Sequence, residues 1–156
     1  MWAIRKRYQD ENGTWDSVMD SEGVYLSAAE CKTHCLDLAN EVMKTWHALG
    51  GYDAHVRGFP RGYSVRSRRS LMRFDAVEIT FSVDGDASGV RYKDKNEAIL
   101  RAQELANGYF EELRAKFEER NPEKTFVGHV ELVKNGFSVL TLYGGKTFLV
   151  VGEIKN

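Results

Sequence analysis

Six arginines, Arg57, Arg61, Arg66, Arg68, Arg69 and Arg73, lie between Asp53 and Asp75 with no lysine and no carboxylate among them. The guanidinium group is a planar fork of donors that matches phosphate or carboxylate oxygens and stacks on aromatic rings and bases. Two aromatics, Phe59 and Tyr63, interleave with these arginines. Such a stretch suits a phosphate-bearing ligand, nucleic acid above all, with affinity that falls as salt rises. Two further readings compete: a linker that pairs with acidic residues elsewhere in the chain, and a docking site for an acidic protein.

Three other groups carry chemistry-bearing side chains. Cys31, His34 and Cys35 have the ligand types that zinc takes. Three ligands are one short of a closed tetrahedron, and no metal is expected. His55 and His129 occupy equivalent places in two related segments, each followed by valine. Glu111-Glu112 and Glu118-Glu119 are carboxylate pairs on a helical stretch. They read as a solvated acidic face or, failing that, as a surface for a basic partner.

The elements that must position these groups are legible because the chain repeats itself. Gly62-Tyr63-Ser64-Val65 returns as Gly136-Phe137-Ser138-Val139, and His55-Val56 returns as His129-Val130 at the same offset. Tyr25, Glu30 and Leu38-Ala39-Asn40 match Tyr92, Glu97 and Leu105-Ala106-Asn107 at a second, shorter offset. The two offsets differ by about two helical turns, so the second helix is expected to be longer by that amount. The first copy reads as a strand over 2–8, a turn at Asn12-Gly13 and a return strand over 14–18. A helix follows, opened by the capping box Ser27 to Glu30 and closed at Gly50-Gly51, and then a hairpin over 52–58 and 62–67. The second copy reads as a strand over 74–83, a return at 89–92, a helix capped by Asp94 and ended at Asn121-Pro122, and a hairpin over 125–133 and 137–143. A last strand covers 147–154.

The expected fold is therefore α+β. A ββαββ unit is duplicated in tandem (1–73 and 74–156), with antiparallel sheet, one long helix per repeat and a pseudo-twofold relation inside one bilobal domain. Each copy also serves as a control for the other. Cys31 and Cys35 align with Ala98 and Ala102, so small apolar packing explains them. The arginine stretch has no such counterpart.

The duplicated histidines resemble the two-histidine phosphoesterases, in which each of two lobes offers His-x-Thr or His-x-Ser. That resemblance implies a phosphoesterase with His55 and His129 as catalytic residues. The third position here is Arg57 in one copy and Glu131 in the other, so the family's hydroxyl is missing. The alternative is a surface histidine bonded to its neighbours.

Strand alternation supplies geometry. With Trp2, Ile4 and Tyr8 facing inward, Arg5 and Arg7 face out. With Ala54, Val56, Tyr63 and Val65 inward, His55, Arg57, Ser64 and Arg66 face out. A basic sheet face of Arg5, Arg7, Arg57 and Arg66 is expected, extended by a turn over 66–73. The expected ligand-binding set is Arg5, Arg7, Arg57, Arg61, Tyr63, Arg66, Arg68, Arg69 and Arg73.

The chain has 156 residues, a net charge of −1 and 42% hydrophobic residues. That is enough for a core and does not describe a generally nucleic-acid-coating protein. No apolar run reaches the roughly 18 residues of a membrane span, and the N-terminus reads as no secretory signal. A cytoplasmic, non-enzymatic binding protein without cofactor is expected, holding nucleic acid or another phosphate ligand on its first repeat. The runner-up is an interaction or inhibitor protein, of the accessory kind carried by phages and mobile elements.

Overall fold

The computed structural model describes residues 1–10 and 12–155, with the backbone alone at residues 20–22. Eight strands and two helices follow one another as β1 (Trp2–Gln9), β2 (Trp15–Tyr25), α1 (Ala28–Ala48), β3 (His55–Phe59), β4 (Gly62–Arg66), β5 (Leu71–Val83), α2 (Lys95–Arg120), β6 (Gly128–Val133), β7 (Gly136–Thr141) and β8 (Gly144–Ile154). The protein is α+β with antiparallel strand pairing. No described helix is long and apolar enough to cross a membrane. The chain divides into two units, Met1–Ile79 with Ile154–Asn156, and Thr80–Glu153. The boundary between the units falls inside β5, which runs unbroken from Leu71 to Val83.

In the first unit the strand order is β2-β1-β5-β4-β3. Asn12-Gly13 makes the expected tight turn, with Gly13 at φ +79° and Asp10 accepting from the Asn12 and Thr14 amides. Ser27 caps α1 by accepting from the Glu30 amide at 3.1 Å. The buried side of α1 is Cys31, Cys35 and Ala39. It packs with Ile4, Val65, Met72, Phe74 and Ala76 into a core completed by Trp2, Tyr25, Val56 and Tyr63. Burial raises the thiols of Cys31 and Cys35 to about 11 and about 12. His34 lies outside this core and stacks on Tyr25 at 4.6 Å.

In the second unit β6, β7 and β8 pair in sequence order. Asp94 caps α2 by accepting from the Asn96 amide at 2.7 Å. The buried side of α2 is Ala98, Ala102 and Ala106, the counterparts of Cys31, Cys35 and Ala39 in α1. The return strand expected at 89–92 does not form. Residues 84–89 are taken up by turns, with Gly85 and Gly89 at positive φ, and only Tyr92 bridges back to Phe81. Helix α2 has 26 residues against 21 in α1, so its extra length falls short of the two full turns expected from the offsets.

Two glycines show why the hairpin motif is spelled as it is. A Cβ on Gly62 would stand 1.9 Å from the carbonyl oxygen of Phe74, and one on Gly136 would stand 2.0 Å from that of Phe148. Both backbones pass a neighbouring strand too closely for any side chain.

Candidate nucleic-acid interface

Register decides which side chains share a face, because directly paired residues project to the same side. Three cross-strand rows of the first unit lie on the side of the sheet away from α1. The central row is Arg57–Ser64–Arg73–Arg7–Ser17. Flanking it are His55–Arg66–Leu71–Gln9–Trp15 and Phe59–Gly62–Asp75–Arg5–Met19. Five arginines and one carboxylate therefore share one surface, with rows and strands spaced only about 5–7 Å apart.

The rows bring together Arg5, Arg7, Arg57, Arg66 and Arg73. Arg73, expected in a turn, sits mid-face because β5 begins at Leu71. His55, Arg57, Phe59, Ser64, Arg66 and Arg73 line a hollow of about 280 Å³ that also touches Gly58 and Leu71. That is at the lower edge of small-molecule sites, a size for a phosphate or one base. His55 Nδ1 lies 3.2 Å from the Asp53 carbonyl oxygen. The oxygen can only accept, so Nδ1 carries the hydrogen and Nε2 is left for another partner.

Arg5 and Arg7 are not free, as alternation alone implied. Arg5 Nη2 donates to Asp75 at 2.6 Å, and Arg7 Nε lies 3.4 Å from the other Asp75 oxygen. The Asp75 side chain is only 1% exposed, so its charge is buried between two guanidinium groups. Arg7 Nε is close enough for attraction and too poorly aligned to donate. It is a buried donor with no hydrogen-bond partner among the described residues. Arg57, Arg61, Arg66, Arg68, Arg69 and Arg73 enter no ion pair among the described residues. The carboxylates of Glu111 and Glu118 on α2 pair instead with Arg114 of their own helix.

Four members of the expected set lie elsewhere. Tyr63 is one residue out of phase with the basic face and packs against the α1 core. Arg61 sits in the β3–β4 turn beside Trp2, Ala28 and Lys32. Arg68 and Arg69 line a separate hollow with Trp46, Leu49 and Asp53, and the Arg68 amide donates to Asp53 at 2.7 Å. The run 66–69 leaves the sheet at Ser67, so sequence adjacency to Arg66 does not keep these residues on its face.

Two aromatics complete the surface. The Arg73 guanidinium lies 5.2 Å from the Trp15 ring centroid and 5.8 Å from that of Phe59, and Arg7 lies 5.7 Å from Trp15. These are cation–π distances. Sequence reasoning gives Trp15 no functional role. The signal for it is the tight Asn12-Gly13 hairpin, which pairs Trp15 with Gln9 and so puts it in phase with Arg5 and Arg7.

His129, which matches His55 at the offset of the hairpin motif, lies 3.3 Å from Glu131 within β6. No known protein family matches the chain, and no curated protein or solved structure shows significant similarity to it.

Proposed function

We propose that the chain is a nucleic-acid-binding protein without catalytic activity, and that the arginine face of the first unit is its contact surface. The observation that carries this reading is the triplet of cross-strand rows. Arg57, Arg66 and Arg73 stand there without a carboxylate partner among the described residues. Phosphate oxygens supply what these donors lack. We further propose that the two units are copies of one supersecondary unit. Gly62, Val65 and Phe74 match Gly136, Val139 and Phe148 at one constant offset, and each pair has matching burial.

A titration of a labelled oligonucleotide across a salt series tests the reading. Log Kd should rise steeply with log salt, with a slope of about 0.7–0.9 per phosphate contact. No binding at low salt would refute it. A protein-binding role is the second reading, and one observation favours it. Tyr143 of the second unit is 62% exposed and packs in an aromatic cluster with Phe117 and Phe126.

A further inference from the structure

The basic face carries more than charge, and its aromatics narrow the ligand. Trp15 lies on the outer strand β2, in the same row as His55 and Arg66, and is 37% exposed. Phe59 closes the third row at the end of β3, beside the side-chain-free position of Gly62. Arg73 lies within cation–π range of both rings, so aromatic, guanidinium and aromatic follow one another across the sheet. Exposed aromatic carbon on a surface otherwise built for phosphate has no use for inorganic phosphate, which the arginines alone would hold. It has none for a duplex either, whose bases stay inside their own stack. It does suit a strand with free bases, because every base has a π face. The hollow of about 280 Å³ between Phe59, Arg57 and Arg66 has room for one such base.

Resting on the nucleic-acid reading above, we propose that the ligand is a single nucleic-acid strand, with phosphates on Arg57 and Arg66 and bases stacked against Trp15 and Phe59. The second unit supports the assignment by contrast: at the offset of the hairpin motif, the position of Phe59 is taken there by Val133.

The test compares a labelled single-stranded oligonucleotide of mixed sequence with the blunt duplex of the same sequence, by fluorescence anisotropy at low salt. The single strand should bind at least about tenfold more tightly than the duplex. Trp15→Leu should weaken single-strand binding by about tenfold or more, and Trp15→Phe should restore most of it. Both variants should weaken duplex binding less than single-strand binding, since Arg57 and Arg66 keep their phosphate contacts while Arg73 and Arg7 lose only the ring they pack on. The Leu–Phe pair separates loss of stacking from loss of folding, and a thermal melt of each variant confirms the fold. Equal affinity for strand and duplex, with Trp15→Leu silent, would overturn the stacking proposal and leave the phosphate face standing. Failure of both oligonucleotides to bind would overturn the nucleic-acid reading as well.

Discussion

The sheet surface of β3, β4 and β5 can be compared residue by residue with that of β6, β7 and β8. In the first, the central row reads Arg57–Ser64–Arg73. In the second, it reads Glu131–Ser138–Thr147, each residue displaced by the offset of the shared hairpin motif. The next row is His55–Arg66–Leu71 in one and His129–Leu140–Gly145 in the other. The serine and histidine persist while every arginine is replaced, one of them by a carboxylate. Polar demand is met internally in the second unit: Ser138 and Thr147 hydroxyls lie 2.8 Å apart, and His129 is 3.3 Å from Glu131. In the first unit the equivalent arginines have no such partners among the described residues. The same strand pairing thus carries a self-satisfied surface in one place and an unsatisfied basic one in the other. The features common to both surfaces are scaffold, and the charge is particular to the first.

The largest effects should come from the scaffold. Gly62→Ala and Gly136→Ala each push a Cβ into a carbonyl oxygen 1.9 or 2.0 Å away. Each should lose about 3 kcal/mol or more of stability in urea unfolding. A silent Gly136→Ala would mean that the second hairpin is not built like the first.

Next comes Asp75, whose place in the second unit is taken by the apolar Leu149. Asp75→Asn strands Arg5 and Arg7, which keep 23% and 26% exposure. About 2 kcal/mol of destabilisation is expected, less than for a fully buried pair because both guanidinium groups retain some water. Leu149→Asn, at 38% exposure, should lie within about 0.5 kcal/mol of wild type.

Cys31→Ala and Cys35→Ala install the residues that the second helix already uses at 98 and 102. Each should lose about 1 kcal/mol, near the value of one buried methylene. The native thiols, raised to about 11 and about 12 from an ordinary 9.0, should resist alkylation until the protein unfolds. Their linkage has a definite sign. Because folding favours the protonated thiol, stability holds below pH 9.0 and declines as pH rises towards those values.

The smallest effect is an acid one, confined to the second unit. Hydrogen bonds from Arg101 are the main reason Asp86 is lowered from 3.8 to about 2. The stability this carboxylate contributes is present above pH 3.8 and is lost as pH falls to about 2. Arg101→Met should flatten that decline in an acid titration followed by circular dichroism. His34, the matching residue of α1, stacks on Tyr25 and has no carboxylate partner among the described residues, so His34→Met should leave the decline in place.

How far the sequence carries depends on whether a feature is local. The buried faces of α1 and α2 follow from apolar spacing at three and four residues, and the caps at Ser27 and Asp94 from their own side chains. Alternation alone puts Arg57 and Arg66 on the outer side of their strands. The pairings β1–β5 and β4–β5 join residues far apart in sequence, and no local pattern shows them. Those pairings bring Arg73 to the centre of the face, within reach of Trp15, and bury Asp75 against Arg5 and Arg7. Tyr63 misleads for the opposite reason. It neighbours the arginines in sequence, yet the period of two in a strand turns it to the other side. The missing return strand at 89–92 follows from turn chemistry: Asp86 accepts from the Ser88 amide and Gly89 takes a positive φ, which uses up the residues that would have paired.

The most direct test gives the first unit the second unit's residues. In the variant Arg57→Glu, Arg66→Leu, Arg73→Thr, the scaffold positions are untouched and the fold should be retained by circular dichroism. Oligonucleotide affinity at low salt should fall by about 100-fold, and the slope of log Kd against log salt should drop by about 2, the share of three phosphate contacts. A variant that binds with the wild-type affinity and the wild-type salt slope would contradict the assignment of the arginine face as the binding surface.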